Sequence, residues 1–144
     1  MKETITTSLT ILLFVTLISF KTSNDSADKI IGKWILPDNI KIEMYKENNK
    51  YFGKIIDISG FKNGQIRDIK NPDKNKQNDK LLGKIIISNL EYDPKLKKWI
   101  NGTIYAPQKG IELNLKINYA KENELEAEAS KLFFWKSIVW VKLL

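Results

Sequence analysis

Four aspartates, Asp57, Asp68, Asp73 and Asp79, are the side chains of this sequence best placed to do chemistry, and three of them fall in one polar stretch around Arg67–Lys80. Paired carboxylates work as general acid and base when their surroundings separate their pKa values. The sequence has no His and no Cys. That removes imidazole bases, thiol nucleophiles, disulfides and the usual zinc ligands from this chain. In the same stretch Asp73, Asn75, Gln77 and Asp79 put oxygens at alternate positions, as a calcium loop does. Such a loop needs Gly sixth and a bidentate Glu twelfth, and Asn78 and Lys84 stand there instead. The expected reading is therefore a solvated loop whose Asp and Asn side chains cap turns, with no metal and no cofactor.

The second group is aromatic: Trp34, Trp99, Trp135 and Trp140, with Tyr105, Phe133 and Phe134. In a small barrel these residues either line a pocket for an apolar ligand or fill the core. Asn101-Gly102-Thr103 fits the N-glycosylation pattern, but it sits inside an expected strand and is discounted.

The elements that must position these groups are short strands. From Asp28 onward, runs rich in Ile, Leu, Tyr and Trp are broken by Gly, Asn, Asp and Pro at intervals of about 8 to 12 residues, as in a sandwich or barrel. Ile40, Ile42 and Met44 alternate with polar neighbours, and Ile111, Leu113, Leu115, Ile117 and Tyr119 do so more cleanly. Ile30–Leu36 reads as the first strand, Tyr51–Ile58 as the third, and Leu132–Lys142 as the last. Ser59–Lys80 is the longest irregular segment, a length usually reserved for a functional or mobile loop. About eight strands joined by hairpins predict an all-β fold, an up-and-down antiparallel barrel that leaves no open edge.

The chain of 144 residues has a net charge of +7. Two basic and two acidic residues lie in 1–27, so 28–144 keep 22 basic against 15 acidic side chains. The lysines are spread through every segment and Arg67 is the single arginine, which is not the composition of a nucleic-acid reader. At the N-terminus a mostly apolar run, Leu9–Phe20, is too short for a span of about 20 residues and suits a secretory signal. Residues 1–27 are expected to be that signal, with an uncertain cleavage site, and 28–144 a single exported domain without a membrane span.

Several short pieces recur in a known order: Ile31-Gly32-Lys33-Trp34, Gly53-Lys54-Ile55, Asp68 with Asn71-Pro72-Asp73, Leu81-Leu82-Gly83, Trp99 with Gly102-Thr103-Ile104-Tyr105, Pro107 with Gly110, and Trp140-x-Lys142. Together they resemble the bacterial family known as domain of unknown function 2147, whose members are exported and have no established activity. Three positions depart from its pattern: Ala106 stands for an Asp, Ala129-Ser130-Lys131 for a Gly-aromatic-x-Gly stretch, and Lys142 for a terminal Arg. A looser resemblance is to calycin barrels, the lipocalins and their kin. It implies that Gly32 and Trp34 of the first strand pack beneath Lys142 of the last, closing the barrel at one end.

The expected function is a non-enzymatic binding protein of the periplasm or cell surface, holding a small apolar or amphipathic molecule. Trp99, Tyr105 and Trp135 are its expected lining, and Asp68, Asn71, Asp73 and Asp79 its rim. The alternatives are an envelope enzyme using the loop carboxylates and an interaction module docking through its basic surface.

Overall fold

The computed structural model describes residues 24–144. Residues 1–23 of the expected signal lie outside the described residues, and its last four, Asn24–Ala27, form a short helix α1. Eight strands follow in a closed antiparallel barrel, each paired with its neighbour in sequence and the last with the first. They are β1 (Gly32–Ile35), β2 (Lys41–Glu47), β3 (Lys50–Asp57), β4 (Ile85–Asp93), β5 (Lys98–Ala106), β6 (Ile111–Ala120), β7 (Glu124–Lys131) and β8 (Phe134–Lys142). The barrel expected from the strand pattern is present.

The alternation along each strand decides which side chains enter the barrel. Ile42 and Met44 of β2, Tyr51 and Ile55 of β3, Leu115 and Ile117 of β6, and Leu125 and Ala127 of β7 are all buried in one core. Space inside is tight. A Cβ on Gly53 would lie 2.8 Å from Met44 Sδ, and one on Gly102 would lie 2.5 Å from Leu90 Cγ, so these strand glycines make room for large side chains on the adjacent strands. Near these two glycines, β3–β4 and β5–β6 shift register, and Asn89 and Asn101 take left-handed φ values of 60° and 61°.

Closure of the ring is short. Strand β1 meets β8 at Trp34↔Lys142 and Ile35↔Val141 only, so among the described residues Phe134–Trp140 have no partner on that side. The reason lies at β1, which ends at Ile35 before the turn through Pro37, Asp38 and Asn39. Proline there removes a donor and fixes φ, and a strand does not continue through it.

The first strand is shorter than its sequence predicts. Of the expected Ile30–Leu36, Ile30 closes the 3₁₀ turn Asp28–Ile30 and Gly32–Ile35 form the strand; Asp28 and the carbonyl of Ile30 are held by side-chain partners described below. The last expected strand also divides. Leu132 and Phe133 are the turn of the β7–β8 hairpin, and β8 starts at Phe134.

Candidate functional site

The connections place the two ends of the barrel in different hands. At one end lie the start of β1, the β2–β3, β4–β5 and β6–β7 turns, and the finish of β8. At the other lie the β1–β2 and β5–β6 connections, the β7–β8 hairpin and the long segment between β3 and β4.

The first end is a floor. Helix α1 and the 3₁₀ turn lie across it, with Ala27 and Ile30 buried. Trp34 Nε1 donates to the carbonyl of Ile30 at 2.9 Å, and Trp99 Nε1 to that of Ala27 at 2.8 Å. Asp28 accepts from Tyr51 Oη at 2.6 Å and Lys46 Nζ at 3.0 Å. Those bonds, the tyrosine's first, hold the Asp28 carboxyl below the usual range, and burial followed by the Asp28 bond pushes the Tyr51 hydroxyl up. Lys142 Nζ sits 5.4 Å from the centre of the Trp34 ring, the cation–indole pair implied by the calycin resemblance.

The second end carries the polar cluster. Residues 66–81 form a small hairpin of their own: Leu81 N donates to Ile66 O at 3.0 Å, Asp68 N to Asp79 O at 3.0 Å, and Arg67 bridges Lys80. Phe61 and Leu81 anchor the segment in the core. A Cβ on Gly110, at φ 66°, would collide with the carbonyl of Lys70, so only glycine lets the loop settle on the β5–β6 turn.

Asp68 is wholly buried, 0% exposed. One of its oxygens accepts from Tyr105 Oη at 2.7 Å, and the other from Asn71 Nδ2 at 2.7 Å and Lys84 Nζ at 3.1 Å. These partners satisfy a buried charge that would otherwise be costly. Lys84 also reaches Asp79 at 3.4 Å, and its side chain remains 16% exposed. Burial, then the bond to Asp68, pushes the Tyr105 hydroxyl well above its ordinary value. On the adjoining β5–β6 turn, Gln108 Nε2 is buried with no acceptor among the described residues.

The expected site residues therefore do not share one site. Asp68, Asn71, Asp79 and Tyr105 come together around Lys84. Asp73 caps the turn Lys74–Lys76 by accepting from Asn75 N at 3.0 Å, and Asp57 pairs instead with Lys41 at 2.6 Å. Trp99 lies in the floor, and Trp135 stands on β8, 67% exposed, on the strand face opposite buried Trp140. Sequence reasoning passed over Lys84, weighed only as a residue that is not Glu, and Gln108. No local pattern distinguishes either from the surrounding surface lysines and amides.

Chemically, the cluster is a hydrogen-bond donor post. The Asp68 oxygens are engaged, while the Lys84 ammonium, still 16% exposed, retains a proton that an acceptor at the rim would use. Elsewhere on the wall, Ile104 of β5 and Ile138 of β8 lie opposite buried Ile87 and Ala127 in the register, so they face inward, yet both remain only partly buried.

The fold and this arrangement define an eight-stranded, lipocalin-like barrel. Residues 32–142 match the family described as "Uncharacterized protein conserved in bacteria (DUF2147)", and the chain belongs to that family. Among solved structures it is similar to protein HP1028 from Helicobacter pylori, described as belonging to the lipocalin family. The similarity has a TM-score of 0.71 at 18% identity and covers 80% of this chain and 83% of the other. No curated protein matches the chain. Among the described residues no helix is long and apolar enough to cross a membrane.

Proposed function

We propose that this protein is an exported, non-enzymatic carrier, in the periplasm or at the cell surface, for a small amphipathic molecule. The observation that carries this reading is the incomplete closure between β8 and β1, where inward-facing Ile138 of β8 remains partly uncovered. An apolar tail enters between the unpaired part of β8 and the start of β2, against Ile138 and Ile104. Its polar head meets Lys84 at the rim. Lipocalin-like barrels hold small ligands in this way, with few polar groups fixing orientation on a mostly apolar wall.

The test is native mass spectrometry of protein purified from its own envelope, followed by organic extraction. A stoichiometric amphiphile is expected, lost in Ile138→Glu and weakened in Lys84→Gln. A clean apo mass, with no uptake of a fluorescent fatty-acid analogue, would overturn the reading.

A further inference from the structure

The β7–β8 hairpin ends in an apolar tip that its turn geometry does not favour. Leu132 is 91% exposed, Phe133 101%, Phe134 63% and Trp135 67%. Leu132 adopts a φ of 54°, in the left-handed region. Elsewhere the chain fills that conformation with Asn, Asp, Lys or Gly, and the equally short β2–β3 turn is Asn48-Asn49. Leu132 is the one apolar side chain among the left-handed residues described. Local conformation and solvation thus both argue against Leu-Phe at this turn, while contact with something apolar argues for it.

The charge around the tip says what that something is. From Ala129 to Leu144 there is no acidic residue, and Lys131 and Lys136 flank the four apolar side chains. Both lysines are exposed. The nearest acid on β7, Glu128, is already bound to Lys116 at 2.8 Å. An apolar wedge with an indole at its shoulder and lysines on either side matches the boundary between acyl chains and anionic headgroups. A second copy fits less well. Pairing two such hairpins along their open β8 edges would bring acid-free, lysine-bearing strands against each other.

We propose that the β7–β8 tip docks this protein on a membrane surface bearing anionic lipid, with Leu132 and Phe133 inserted, Trp135 at the interface, and Lys131 and Lys136 on the headgroups. The exposed Ile66, Ile69 and Leu82 lie in the loop at this same end, so docking turns the mouth of the barrel toward the lipid. The inference rests on the hairpin and not on a ligand site.

Protein purified from its own envelope is floated with phosphatidylcholine vesicles and with equal mixtures of phosphatidylcholine and phosphatidylglycerol. All variants share one N-terminus, so any contribution from residues 1–23 is common to them. The double substitution Leu132→Asn with Phe133→Gly keeps the hairpin in a favoured two-residue turn, so it removes the wedge without unfolding the strand pair. Binding to the mixed vesicles is expected for the natural chain, about a hundredfold weaker in this variant. Lys131→Gln and Lys136→Gln each cost about fivefold on mixed vesicles and little on neutral ones. Trp34, Trp99 and Trp140 are buried, so a vesicle-induced blue shift of emission reports Trp135 and vanishes in Trp135→Phe. Equal flotation of the Asn-Gly variant, or none by the natural chain, would overturn the proposal. A self-association lost in the Asn-Gly variant, without vesicle binding, would also overturn it and assign the tip to a second copy.

Discussion

The two ends of this barrel use the same residue types for opposite purposes. At the floor, Trp34 and Trp99 are buried and each indole N–H has a backbone carbonyl to donate to. At the β7–β8 end, Phe133, Phe134 and Trp135 face solvent. The carboxylates divide as well: Asp28 at the floor keeps side-chain exposure of 36%, whereas Asp68 at the mouth has none. One end is closed by apolar packing with its polar atoms satisfied, and the other has a buried charge next to uncovered apolar surface. Identical chemistry builds a lid or a docking surface according to which partners the fold brings to it.

The largest effect expected from breaking this contrast is at the floor. Trp34→Ala should cost about 4 kcal/mol, through loss of buried surface and the cavity left behind, read as a fall in the urea midpoint. Asp68→Ala should cost about 3 kcal/mol, because it leaves the Lys84 ammonium without its buried partner. A loss within experimental error there would mean that the mouth cluster is not structural.

Asp28 sharpens the comparison through pH. Its folded pKa lies below the ordinary 3.8, so its stabilisation is present above about pH 4 and is lost as pH falls toward the folded value. Asp28→Asn should cost about 1 kcal/mol or less at neutral pH, given its partial exposure, and should flatten the acid limb of the stability curve. Smallest of all, Trp135→Ala should leave the urea midpoint unchanged within about 0.5 kcal/mol, although it removes as large a side chain as Trp34→Ala.

The barrel was legible because alternation along strands such as Ile111–Tyr119 is a local signal, and every hairpin turn but the last carries Asn, Asp, Gly or Pro. Gly32, Trp34 and Lys142 were legible through resemblance, and the register sets Trp34 directly opposite Lys142. The rest depended on distant partners. Ile30 closes a 3₁₀ turn whose Asp28 is held by Tyr51 and Lys46, some 20 residues away, which no window along the chain contains. Trp99 could not be assigned to the floor, since an inward aromatic looks the same in sequence at either end. Of the loop aspartates, Asp68 was indistinguishable from Asp73 until Tyr105 and Lys84 were placed around it. Leu132-Phe133 read as strand because apolar residues carry no turn signal.

Consider finally the order in which such a ring assembles. Seven of its eight pairings join strands adjacent in sequence, each formed by closing a hairpin or one longer loop. The eighth joins Trp34 to Lys142, across nearly the whole described chain, and is held by two residue pairs. Loop-closure entropy makes that contact the last to form, and its small size makes it the first to open. Amides at the β1–β8 junction should therefore exchange with solvent before those of β5 and β6, and the wall of the barrel breathes along one line fixed by where the two ends of the chain meet.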